Sequence, residues 1–288
     1  MLAQEVQVFS LLGPVDLQAT AKGRDADLSI LDPSESAVVV MSLGVVTGTT
    51  PTLAVKLQES DIAVRGAAYV VAGAVDNKLR AGATTTVKLG AKFTQSGARS
   101  IKNVYLYLTN PGTITAGKIV TLDIMGDSTG TPDGTSIGTS GSVLCSAVPV
   151  AGGWVKFAFE APIDLADATV YHFVLSGDYT ASTSNYIGWA SGTVASAGNQ
   201  STFDDTVWTA VATESFRFWA EQYSFADITG AAFTGKTSGP SIHRLGVDLT
   251  AAKSVIRPVM TVGGSSPHFN MSLVLLARGR NQPVAAQA

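Results

Sequence analysis

Charge is scarce in this sequence. Asp, Glu, Lys and Arg make up 14% of its 288 residues, against roughly 25% in an average soluble protein. The 19 Lys and Arg and the 22 Asp and Glu leave a net charge of −3, with no basic run anywhere. Binding to a phosphate backbone takes clustered cations, so nucleic acid is excluded as an expected partner. There is one cysteine, Cys145, which excludes an internal disulfide framework. No apolar run approaches the roughly 20 residues of a membrane-crossing helix; the run Ala37 to Met41 suits a buried strand. The first residues, Met1-Leu-Ala-Gln-Glu-Val-Gln-Val-Phe, have no positive start and carry Glu5, unlike a secretory signal. These absences give the expectation of a chain made and folded in a cytoplasm, with no membrane partner. Sparse charge also leaves little to keep copies apart, so much of the surface is expected to be covered by neighbouring subunits.

What is present is β-structure. Helical periodicity is almost absent, whereas period-two alternation punctuated by Gly, Pro, Asn and Asp recurs along the chain, the pattern of sandwiches and barrels. Residues 53–62, Leu-Ala-Val-Lys-Leu-Gln-Glu-Ser-Asp-Ile, read as a strand entering a turn. The matching return strand, Phe225-Ala-Asp-Ile-Thr-Gly-Ala-Ala-Phe-Thr-Gly235, comes more than a hundred and fifty positions later. Exposed hairpin tips accept insertions without loss of the host fold. The expected fold is therefore all-β: two jelly-roll-like β-sandwich domains, one inserted into a loop of the other. The outer domain comprises 1–64 and 224–288, and the insert 65–223.

Strands are expected in the outer domain near 4–11, 36–46, 52–59, 242–249, 254–262 and 270–278. Pro258 marks its strand as an edge or a bulge, Gly263-Gly264-Ser265-Ser266-Pro267 signals a turn, and 281–288 reads as a tail without structure. In the insert, strands are expected at 87–93, 100–108, 119–125, 154–159, 170–176, 185–190 and 215–222. Val155, Phe157 and Phe159 face one way and Trp154, Lys156 and Glu160 the other; Phe216 and Phe218 alternate with Arg217 and Trp219. Gly126-Asp-Ser-Thr-Gly-Thr-Pro-Asp-Gly134 reads as a loop.

No nucleophile elbow, HExxH, phosphate loop or CxxC pair occurs. No catalytic residue and no cofactor are assigned, and the chain is not expected to be an enzyme. His172, in an alternating strand, reads as a core or interface histidine; His243 and His268 are the only others. Asp123, Asp127 and Asp133 offer hard oxygen ligands, but two of them sit where turn residues cap their own loop, so no metal is assigned. Tyr186, Trp189, Trp208 and Trp219 are the candidate carbohydrate-binding residues, since an aromatic ring offers a large apolar body. Asn185, Asn199 and Asp205 would be their polar partners. The alternative is that Trp189 and Trp219 fill the sandwich core or a subunit contact.

Two stretches carry a resemblance. Leu89-Gly-Ala-Lys-Phe-Thr, Ile101-Lys-Asn-Val-Tyr-Leu-Tyr-Leu, Val120-Thr-Leu-Asp-Ile-Met-Gly-Asp, Trp154-Val-Lys-Phe-Ala-Phe and Thr169-Val-Tyr-His-Phe-Val-Leu-Ser-Gly-Asp178 follow an order that resembles extracellular β-sandwich modules beside surface anchors, which are similar to carbohydrate-binding jelly rolls. The joined segments at 53–61 and 225–231, with Lys253-Ser-Val-Ile-Arg-Pro-Val-Met-Thr-Val-Gly-Gly264, resemble capsid decoration, or cement, proteins of tailed bacteriophages. The second resemblance implies a virion location on the capsid surface, the major capsid protein as partner, and assembly as a homo-oligomer, a trimer being expected. It departs from that pattern by carrying the insert, whose expected partners are host or environmental glycans. The rival expectation is a receptor-binding or tail-tip adhesin recognising host carbohydrate; a sugar-cleaving enzyme stands third.

Overall fold

A computed structural model describes residues 6–28, 36–63, 68–69, 75–79, 86–180, 184–194, 198–249 and 253–278. Val64 and residues 281–288, to which the sequence assigns a boundary and a tail, lie outside the described residues. The described chain is all-β. It divides into two compact units, Met1–Ile62 with Ser224–Ala288, and Ala63–Tyr223.

In chain order, the first unit opens with β1 (Val6–Leu17) and β2 (Ser36–Ser60). The second unit contributes β3 (Val75–Leu79), β4 (Lys88–Thr94), β5 (Arg99–Thr109), β6 (Ile119–Ser128), β7 (Thr131–Thr139) and β8 (Gly153–Leu165). It continues with β9 (Val170–Gly177), β10 (Ile187–Thr193), β11 (Gln200–Phe203), β12 (Trp208–Val211), β13 (Glu214–Phe216) and β14 (Phe218–Tyr223). The first unit closes with β15 (Ala226–Lys236), β16 (Ser241–Asp248) and β17 (Val255–Arg278).

The first unit is built on two long strands. β2 and β17 pair antiparallel from Ser60↔Val255 to Val38↔Leu276. One half of this ribbon is flanked by β1 and β16. The other half is flanked by β15 and by the short strands Ala21–Lys22 and Ala26–Asp27. Alternation buries Ala37, Val39, Met41 and Leu43 in one half and Leu53, Val55 and Leu57 in the other, and all join one apolar cluster. The ribbon must therefore bend between the halves. It does so where Gly48, Thr50, Gly264 and Ser266 take positive φ, a region open to Gly and uncommon for other residues. A Cβ on Gly48 would stand 2.7 Å from the Ser266 carbonyl oxygen.

The bend corrects two expectations. The separate strands near 36–46 and 52–59 are halves of one strand, and the Gly263–Pro267 turn signal is a bulged bend inside β17. Pro258 is not on an edge either, because β17 is paired on both sides there. Its carbonyl accepts the Gly23 N–H at 3.0 Å, so its missing donor faces the gap between Ala21–Lys22 and Ala26–Asp27. The ladder loses nothing at that gap.

The separated hairpin is present. β15 returns along β2, with Ala226 opposite Glu59 and Phe233 opposite Val55. Asp227 accepts from Lys56 Nζ and Gln58 Nε2, each at 2.8 Å, and the Ser224 N–H donates to Ser60 Oγ at 2.9 Å.

The second unit is a sandwich. One sheet runs β7–β6–β9–β4–β11–β12. In the other, β8 pairs along one edge of β5 while β14 and β10 share its opposite edge, and β10 also carries β13 and β3. Leu89, Phe93, Leu122, Ile124, Phe173 and Leu175 meet Val104, Leu106, Phe157, Trp189, Phe216 and Phe218 in a single core. Phe93 and Phe173 stack at 4.3 Å, and Phe173 meets Phe218 edge-on at 5.2 Å. Each fully buried side chain of this size contributes about 1.5–3 kcal/mol. Residues 126–134, read as a loop, form instead the tip of a β6–β7 hairpin. Thr129 and Gly130 both have positive φ, as a two-residue turn matched to strand twist requires.

Candidate functional site

Alternation on β8, β5 and β14 sends every second side chain away from the core. Register then sets them side by side: Trp154 opposite Tyr107, and Lys156 opposite Tyr105, which faces Trp219 across its other edge. Arg217, between β13 and β14, completes the block. Its backbone is fixed from three directions: its N–H donates to the Ala190 carbonyl at 2.9 Å, and its carbonyl accepts from the Tyr107 N–H at 3.2 Å and from Trp189 Nε1 at 2.9 Å. Six adjacent outward positions thus hold four aromatic rings and two cations.

The guanidinium of Arg217 lies 4.1 Å from the Tyr107 ring centroid and 5.6 Å from that of Trp154. Cation–π contact of this kind orders the side chain. Its Nε is buried with no hydrogen-bond partner. Trp154 stands edge-on to Tyr107 at 5.5 Å and remains 39% exposed. Tyr105 and Trp219 stack in parallel at 3.8 Å. A carboxylate on the face, Glu221, accepts from Tyr105 Oη at 2.9 Å and from Asn103 Nδ2 at 2.6 Å. Burial first, and then that carboxylate, push the Tyr105 phenol up to about 12, so it remains a donor at neutral pH. The chemistry on offer is apolar stacking beside an unneutralised guanidinium.

The four aromatics expected to bind sugar do not converge. Trp189 is fully buried and stacks on Phe216 at 4.2 Å; it is a core residue that no ligand reaches, which corrects its assignment. Trp208 lies on the edge strand β12 of the other sheet, tilted against Phe203 at 5.1 Å. Tyr186 is half-buried just before β10, with Lys78 Nζ 4.7 Å from its ring centroid. Trp219 alone joins the outward block. Of the expected polar partners, Asn185 accepts from the Thr113 N–H and Asn199 from the Phe216 N–H, at 2.9 and 2.8 Å, so both brace the backbone. Asp205 lies in the exposed β11–β12 turn with φ 78°. The residues missed were Tyr105, Tyr107, Trp154 and Arg217; the outward facing of Trp154 and Arg217 was the signal available for them.

The three aspartates considered for a cation are engaged locally. Asp123 accepts from the Ser136 and Thr139 hydroxyls, and Asp133 from the Thr135 N–H at 2.9 Å. Asp127 accepts from the Gly130 N–H at 3.1 Å and bonds His172 Nε2 at 2.7 Å. His172 is wholly buried, and that burial pushes its imidazole below the ordinary value although Asp127 acts against it. Burial raises Asp127 in turn, but the hydrogen bonds from His172 and Gly130 outweigh this and hold it below the usual carboxylate range.

A second outward face lies on the first unit. Across β1, β17, β2 and β16, register aligns Val8, Leu276, Val38 and Gly246, and beside them Ser10, Val274, Val40 and Arg244. Val8 is 64% exposed and Val38 39%. Arg244 is the one charged residue in this block. The other half of the ribbon is polar outside, with Lys56, Gln58 and Asp227 in contact, while Arg257 is buried with its guanidinium 3.7 Å from the Phe225 ring centroid.

No family model matches the chain, and no curated protein matches it. Among solved structures it has weak similarity to a viral capsid protein. The infectious bursal disease virus VP2 subviral particle aligns at 9% identity over 98% of this chain and 78% of that one, with a TM-score of 0.23. The Gx strain of the same virus aligns at 10% identity over 97% and 83%, with a TM-score of 0.20. No correspondence of residues follows at these values.

Proposed function

We propose that this chain is a virion structural protein that decorates and stabilises a bacteriophage head. The first unit docks on the major capsid protein, and the second projects outward and binds glycans. The observation that carries the reading is the aliphatic face of β1, β17, β2 and β16. A contiguous exposed apolar patch marks an interaction surface, and sparse charge leaves little to repel a neighbour. Binding only the assembled shell stabilises it by mass action, without catalysis. Copies assemble as a closed ring, a trimer, in keeping with the symmetry of most homo-oligomers. Many copies per particle then give the outward units avidity.

Quantitative mass spectrometry of purified particles tests this by counting the chain against the shell protein. Near-stoichiometric abundance is expected. A handful of copies per particle would move the chain to a tail or vertex, where the Trp154–Arg217 block favours an adhesin that recognises host carbohydrate.

A further inference from the structure

We propose that the outward block on β8, β5 and β14 is a site for a carboxylate-bearing saccharide, with Arg217 taking the acid group and Trp154 the apolar face of the sugar ring. The proposal rests on reading the second unit as a glycan-binding module and names the ligand class.

Three features point to an acidic ligand. The Arg217 side chain has no hydrogen-bond or ion-pair partner among the described residues, its Nε being buried and unmatched. A guanidinium presents a planar fork that suits a carboxylate. Glu221, on the same face, is bonded through both oxygens to Tyr105 and Asn103 and not to Arg217. Lys156, outward and exposed beside Trp154 on the same strand, supplies a second cation. The site is also ordered in advance: Tyr107 holds the guanidinium from one side, and three backbone hydrogen bonds hold residue 217. Pre-organisation of this kind lowers the entropy lost on binding.

A sugar fits better than a nucleic acid strand. Stacking on aromatics beside cations serves both, but tracking a phosphate backbone takes a groove of many cations. Here two cations stand beside Glu221 on a chain of net charge −3. A neutral sugar would leave both cations unanswered.

The test uses the full chain and three probes: an α-1,4-linked galacturonic acid trisaccharide, its methyl ester, and a single-stranded oligothymidylate. Titration calorimetry, or Trp fluorescence for weak binding, reads each. The acid is expected to bind about tenfold to a hundredfold tighter than the ester, as loss of a charge-assisted hydrogen bond implies. Arg217→Gln should abolish that preference, and Lys156→Gln should reduce it, keeping the question answerable if the first variant misfolds. Trp154→Ala should weaken acid and ester alike. Equal binding of acid and ester, with Trp154 still required, would overturn the acidic ligand while leaving a glycan-binding module. Failure of all sugars, or tighter binding of the oligonucleotide, would overturn both; docking on the shell by the first unit would be untouched by either result.

Discussion

The outward faces of the two units obey the same alternation and carry opposite chemistry. On the first unit, Val8, Val38, Val40, Val274 and Leu276 line up across four strands. On the second, Trp154, Tyr107, Arg217, Lys156, Tyr105 and Trp219 do so across three. All 4 Trp and all 7 Tyr of the chain lie in the second unit; the first has only Phe among its aromatics. Branched aliphatics give adhesion in proportion to area and without direction. Rings and a fixed guanidinium give direction and choice. One face is suited to covering a broad surface, the other to selecting a ligand.

This contrast can be tested from both sides. The largest effect is expected at Trp189, which is core rather than surface: Trp189→Ala should destabilise the second unit by about 3–5 kcal/mol. Fluorescence reads that unit alone, since it holds every Trp. A near-neutral result would mean that Trp189 is not part of the packed core. Next, Val38→Asp on the aliphatic face should weaken shell binding at least tenfold, the effect of a residue carrying over 1 kcal/mol at an interface. Its effect on folding should be about 1 kcal/mol, the span of strand propensity between Val and Asp. Unchanged co-sedimentation with shells would remove that face from docking.

A third expectation concerns pH. His172 titrates below the ordinary value in the folded chain, burial being the main cause. Between that depressed value and about 6.5, the unfolded chain holds the proton and the folded one does not. The contribution is therefore complete above about 6.5 and is lost as pH falls through the folded value. Melting of the second unit followed from pH 7 to 5 should show this decline, and His172→Asn should flatten it. Smallest of all, Lys56→Ala removes a half-exposed pair with Asp227, worth about 0.2–1 kcal/mol. A larger loss would mean that the β2–β15 hairpin depends on that contact for its register.

Much of this was legible in the sequence, for local reasons. Val155, Phe157 and Phe159 alternate so regularly that β8 and its facing could be read directly, and both proved correct. The β2–β15 pairing was legible because each strand keeps its pattern up to the break. β7 was not, because Thr-Pro-Asp-Gly-Thr-Ser-Ile-Gly-Thr has turn composition, and only its pairing with β6 makes it a strand. The bend in β17 was hidden for a related reason. Its Gly and Ser residues absorb positive φ, and pairing resumes beyond them. For Trp189 the sequence left a sugar-binding and a core reading open, and the core reading holds; local pattern could not choose, because burial in a sheet interior is set by neighbouring strands distant in sequence. The same non-local register brings Trp154, Tyr107 and Arg217 together, and no local pattern reports it.

The hydrogen bond from Ser224 to Ser60 has a wider consequence. It closes the host hairpin just short of the module, so the chain departs and returns at almost one point. Any passenger whose own ends lie close together meets that requirement, whatever its size, because the host's register is already fixed below it. The joint works as a socket. A foreign domain with adjacent termini should be displayable there in the same way.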